Sequence, residues 1–173
     1  EKEIKTVKEL ISKLLKNKEK IKKRTEELVK IRLRQNKEIS GNFSKMRGKL
    51  QWPVEGVIIS KFGNQVNPEF NTVTENIGIE IQCNKNEKVI SVMDGIISLI
   101  TYIPGHGNII IIDHGDSYST VYAHIEKILV NEDQYVLPGE EIATVSNINN
   151  KGRLHFEIWK EEQKINPESW LIK

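Results

Sequence analysis

Apolar positions along the chain follow two different periods, and the change falls near residue 50. Ile4, Val7, Ile11 and Leu14 recur at three- and four-residue spacing, with Leu10 and Leu15 widening the stripe. That pattern predicts an amphipathic helix over residues 3–16. A second apolar cluster follows at Leu28, Val29, Ile31 and Leu33, and neither Gly nor Pro interrupts residues 1–40. This segment reads as one long helix or as a helical hairpin joined near Asn17–Lys20. It is coiled-coil-like, with about two clean heptads. Ser40-Gly41-Asn42 supplies a stop signal, and residues 41–50, with their basic run Lys45–Lys49, read as a linker. Trp52-Pro53 biases the backbone to an extended form and opens a second domain, 51–173.

From Val57 onward the period is two. Val57–Ser60, Ile77–Ile81, Val89–Val92, Ile96–Tyr102, Asn108–Asp113, Ser119–His124, Glu141–Val145 and Leu154–Trp159 are short runs rich in Ile and Val, separated by turn residues. The predicted fold is mainly β, an antiparallel sheet or sandwich preceded by the α-helical segment. Asp94-Gly95 between apolar runs reads as a hairpin turn. In the last run Leu154, Phe156 and Ile158 alternate with Arg153, His155 and Glu157. One face of that strand belongs to a core, and the other carries a guanidinium, an imidazole and a carboxylate in a row.

Charge sharpens the division. Residues 1–50 hold 17 Lys/Arg and 7 Asp/Glu, whereas residues 51–173 hold 9 and 17, within a net charge of only +2. The basic half has no aromatic residue before Phe43, so it lacks a platform for stacking bases, and nucleic acid is not an expected partner. Cys83 is the single cysteine and forms no internal disulfide. No run has the length of a membrane span. Glu1 falls inside a helical pattern, so the sequence reads as a piece of something longer.

The four histidines form no local ligand pair of the His-Glu-x-x-His kind. His106 in Pro-Gly-His-Gly and His114 at the opening of a turn read as solvated loop residues. His124, at the end of a run, is aimed by alternation towards a cleft. His155 lies mid-strand on the polar face.

Several blocks then make a family visible. Phe62-Gly63, Asn76-Ile-Gly-Ile-Glu80, Val89 to Gly95, Gly107 to Gly115, Thr120-Val-Tyr-Ala-His124, Gly139-Glu-Glu-Ile and Leu154-His-Phe-Glu157-Ile occur in the order of a lysostaphin/LytM-type domain, which residues 50–173 resemble. Active members are zinc endopeptidases of peptidoglycan. The resemblance implies two zinc ligands from a His-x-Gly-x-Asp block and a third from the second histidine of a His-x-His block. Catalytic help comes from that block's first histidine and from the histidine of Tyr-x-His. Here Asn76 stands for the first ligand and Glu80 for the aspartate, while His155 retains the third. His124 retains one catalytic position, and Arg153 takes the other. A neutral amide is a poor zinc ligand, a glutamate displaces the carboxylate by a methylene, and a guanidinium cannot serve as a base. A degenerate site with no metal, no cofactor and no catalytic residue is expected, with Arg153 and Glu80 paired across the former cleft.

A degenerate domain of this type behind a helical segment resembles the EnvC-like activators of murein hydrolases. The resemblance implies a non-catalytic protein of the periplasm or cell envelope. Its groove would bind an N-acetylmuramoyl-L-alanine amidase during daughter-cell separation. The upstream coiled coil would connect to an FtsE–FtsX-like complex, and peptidoglycan is a further candidate partner. Residues 1–40 would then be either the end of that coiled coil or a helix that blocks the groove. The alternatives are a residual zinc-dependent endopeptidase and a passive wall-binding scaffold.

Overall fold

A computed structural model describes residues 43–67, 69, 71–148 and 151–173. The helix expected over residues 1–40 lies outside the described residues. Among the described residues thirteen strands follow one another: β1 (Val57–Ser60), β2 (Gly63–Asn67), β3 (Thr72–Asn76), β4 (Ile79–Cys83), β5 (Lys88–Ile90), β6 (Gly95–Ile103), β7 (Gly107–Asp113), β8 (Tyr118–Ile128), β9 (Tyr135–Val136), β10 (Glu141–Val145), β11 (Asn147–Ile148), β12 (Lys151–Lys160) and β13 (Gln163–Ile165). Short 3-10 turns lie at Phe43–Met46 and Pro167–Ser169. Among the described residues no helix is long and apolar enough to cross a membrane.

Every ladder between these strands is antiparallel. One sheet runs in the order β1-β4-β12-β8-β7-β6-β9, and β10 joins β5 to the far half of β8. β2 and β3 stand apart as a two-stranded sheet. Leu154, Phe156 and Ile158 are wholly buried, as their alternation requires, and share a core with Ile79 and Ile81 of β4 and Ile110 and Ile112 of β7. Val89 of β5 and Ile142 and Val145 of β10 enter the same core. That β5–β10 wing therefore covers what the main sheet would expose, giving the sheet two layers from one branched ladder.

Three expectations from the sequence are corrected. Residues 43–50, read as most of a linker, are part of the domain. Phe43 and Leu50 are fully buried, and Phe43 stacks on Tyr118 and lies 5.1 Å from Trp170. Asp94-Gly95 is not a hairpin turn, because β5 pairs with β10 while β6 pairs with β7 and β9. Gly95 is needed instead for close approach: a Cβ there would lie 2.6 Å from the Asp113 carbonyl. His114 is not solvated. Its ring is buried, with Nδ1 2.7 Å from the Asp94 carbonyl and Nε2 2.7 Å from Thr120 Oγ1. Burial pushes His114 down to about 4, against the raising influence of its bond to Asp94, so it is neutral in the fold.

Candidate functional site

The polar face of β12 forms the floor of a groove of about 400 Å³, with Asn76 and the β2–β3 hairpin on one side and His106 and His124 on the other. β4 and β12 pair with His155 opposite Glu80 and Arg153 opposite Gln82, so Arg153 reaches Glu80 diagonally. The structure thus brings Asn76, Glu80, His124, Arg153 and His155 together.

His124 reaches the groove through a break in β8. That strand pairs with β12 as far as Ala123 and with β10 from Ile125, and His124 between them has φ +63°. Tyr122 and Ile125 both lie in the core, so two residues separate them where simple alternation allows one. Such an irregularity re-aims a side chain, and here it turns His124 out of the core. The backbone is fixed on both sides: His124 N–H donates to the His106 carbonyl at 2.8 Å, and Ser146 N–H donates to the His124 carbonyl at 2.8 Å. Burial pushes the His124 ring below its ordinary value. Arg153, His155 and His106 push the same way against Glu80. The neutral ring lies 3.5 Å from Arg153 Nη2 and stacks parallel to His106.

His155 is held between two carboxylates. Its Nδ1 lies 2.8 Å from Glu80 Oε1 and its Nε2 3.0 Å from Glu157 Oε1. Carboxylates only accept, so both ring nitrogens donate and the ring is an imidazolium. Burial alone would lower His155, but its bonds to Glu157 and Glu80 and their charges raise it to about 9. Trp159 Nε1 in turn donates to Glu157 Oε2 at 2.6 Å. On the other side Arg153 Nε lies 3.2 Å from Glu80 Oε2. Neither of these two buried atoms makes an aligned hydrogen bond, so the pair is a charge contact rather than a directed one.

These residues do not fit a zinc ion as they stand. An imidazolium with both nitrogens donating has no lone pair for a metal. Asn76 Oδ1 accepts from Gly78 N–H at 3.1 Å, and its amide donates to Ser60 Oγ at 3.0 Å. Glu80 is divided between His155 and Arg153. Glu80, His155 and Glu157 are adjacent, yet their polar atoms are aimed at one another. Among the described residues no group of three His, Cys, Asp or Glu side chains is placed to hold a metal ion.

The sequence reading missed the part played by Glu157, although it shares the alternating face of Arg153 and His155. It also missed Gly78. A Cβ at Gly78 would lie 2.4 Å from the Phe156 carbonyl and 2.8 Å from Glu157 Cγ, so the Asn76–Gly78 turn packs directly on β12. A second depression of about 410 Å³, lined by Trp52, Val54, Glu87, Lys88 and Ile90, contains no histidine. Its Lys88 is paired with Glu141.

A branched antiparallel sheet with a histidine–carboxylate groove on its face is the architecture of a metallopeptidase-type β domain. More particularly, the chain belongs to peptidase family M23, whose model matches residues 74–167. It is 37% identical over 123 residues to the murein hydrolase activator NlpD of Escherichia coli, covering 70% of this chain and 31% of that protein. The murein hydrolase activator EnvC of Escherichia coli is 29% identical over 134 residues, covering 76% and 31%. The crystal structure of a zinc-containing peptidase from Vibrio cholerae superposes with a TM-score of 0.60 at 26% identity, covering 69% of this chain and 39% of that one. The chain spans about a third of the length of the two activators.

Proposed function

We propose that this chain is a non-catalytic activator of a peptidoglycan amidase and that the groove around Arg153 is where the amidase is engaged. The observation that carries this reading is the locked charge network. Arg153 and an imidazolium at His155 occupy the place where a metallopeptidase needs vacant donors, and both are neutralised by Glu80 and Glu157. A site of that kind offers no free histidine lone pair at His155 for a metal that would polarise a peptide carbonyl, and the neutral ring of His124 lies against the Arg153 guanidinium rather than beside a metal-bound water. What it retains is a pre-shaped polar groove whose Arg153 side chain is 42% exposed to a partner. The names of the relatives NlpD and EnvC point to the same role.

On this reading the protein works in the cell envelope, with an N-acetylmuramoyl-L-alanine amidase as its partner and peptidoglycan nearby. The segment that precedes the domain would connect it to an FtsE–FtsX-like complex. Release of dye from labelled peptidoglycan tests the proposal, with the chain alone and with a cognate amidase, alongside zinc determination on the purified protein. The expected result is no cleavage alone, no stoichiometric zinc, and stimulation of the amidase that Arg153→Ala lowers about tenfold, equivalent to the loss of one good polar contact. Cleavage by the chain alone with bound zinc would overturn it in favour of an endopeptidase. Wall binding without stimulation would leave a scaffold.

A further inference from the structure

We propose that the outer edge of β6, Ser98–Ile103, is a strand-pairing surface for a second copy of this chain, with Glu132 as its gate. β9 pairs with β6 only at Gly95 and Ile96, and backbone bonds from Gln134 and Asp133 extend the cover to Ile97. Beyond that point, among the described residues, β6 runs on with β7 on one side only. Leu99, Thr101 and Ile103 lie opposite Ile111, Ile109 and Gly107, and Ile100 N–H donates away from β7, to Glu132 Oε1 at 2.8 Å. Alternation then points the backbone groups of Tyr102 outward as well. The Glu132 carboxylate stands where the carbonyl of a neighbouring strand would stand.

The side chains suit the same occupant. Ser-Leu-Ile-Thr-Tyr-Ile contains no charge, no proline and no glycine, and Leu99, Tyr102 and Ile103 are 42%, 66% and 45% exposed. Proteins blunt such edges with charges or proline, and among the described residues the charge that caps this stretch is Glu132. A second copy, antiparallel about a two-fold axis at Thr101, sets Tyr102 of each copy opposite Ile100 of the other, so that their outward N–H and C=O groups satisfy one another. It sets uncharged side chains against uncharged ones. Pairing at Ile100 requires Glu132 to swing away, so this carboxylate limits how tightly the copies hold.

Sedimentation of the intact chain over a range of concentrations tests the proposal, using wild type, Glu132→Ala, Tyr102→Lys and Tyr102→Pro. The proline removes an outward N–H at a position where an edge strand tolerates it. The expected result is a reversible dimer, about tenfold tighter in Glu132→Ala and at least tenfold weaker in both Tyr102 variants. Monomers at every concentration for both wild type and Glu132→Ala overturn it. A dimer indifferent to both Tyr102 variants overturns it too, because it forms elsewhere on the chain. Monomeric wild type that loses amidase stimulation in Tyr102→Lys assigns the edge to another partner and also refutes the self-pairing.

Discussion

Replacing Glu157 by Gln should flatten the alkaline limb of the stability profile, and the structure sets the size of the effect. His155 is held at about 9 against an ordinary value of 6.5, with Glu157 first among the groups that raise it and burial opposing them. Below pH 6.5 both folded and unfolded chains carry this proton, so the stabilisation is complete. Between pH 6.5 and 9 the unfolded chain has shed the proton while the folded chain keeps it. Stability therefore falls by about 1.4 kcal/mol per pH unit, on the order of 3 kcal/mol in all. A glutamine at 157 retains the shape of the side chain but removes its charge, so His155 should titrate lower and the slope should drop to less than half. Urea denaturation at pH 6.5 and 9, together with the NMR titration of the His155 ring, measures both quantities. A wild-type midpoint at or below 6.5, or an equal slope in Glu157→Gln, would refute the imidazolium lock.

The acid limb has a different origin. His114 is neutral in the fold down to about 4 but takes a proton at about 6.5 when unfolded, so stability should fall on the order of 3 kcal/mol as pH drops from 6.5 to 4. His114→Phe should remove that pH dependence even if it lowers stability overall, as acid-titrated tryptophan fluorescence would reveal. Phe43→Ala should destabilise the domain by about 3–5 kcal/mol in thermal or urea melts, because it empties the stack on Tyr118 and Trp170. An effect under about 1 kcal/mol would restore residues 43–50 to the status of a linker.

Much of the β domain was legible because its strands are rich in Ile and Val and alternate cleanly. β12 is the clearest case, with both faces assigned correctly from Leu154 to Ile158. The β2–β3 hairpin was not legible. Its segments Gly-Asn-Gln-Val-Asn and Thr-Val-Thr-Glu-Asn are polar, and it packs outside the main sheet, so no buried face imposes a pattern. Asn76, Glu80, His124, Arg153 and His155 were singled out through the order of motif blocks, and a charge pair between Arg153 and Glu80 was anticipated on chemical grounds, whereas its diagonal register follows only from the pairing of β4 with β12. That His155 would be claimed at both nitrogens depended on Glu157, whose burial follows only from the packing of Gly78 and Trp159 around it. His114 was misplaced because a histidine before a glycine in a turn looks solvated. Its ring is instead held inward by the Asp94 carbonyl and Thr120 Oγ1, 20 positions earlier and 6 later, beside the Phe43 ring 4.9 Å away.

The two ends of the domain are clasped together. Leu50 N–H donates to the Trp170 carbonyl and Ile172 N–H donates to the Leu50 carbonyl, beside the Phe43–Tyr118–Trp170 stack. Mechanically this is an anchor bolt. Tension arriving along the chain from before residue 43 is met first by these two parallel-bridge hydrogen bonds and three aromatic rings, which must shear before β1 feels any load. A pull that failed to break the clasp would move the domain as one piece, leaving the register of β4 on β12, and with it the Arg153–Glu80–His155 arrangement, undisturbed.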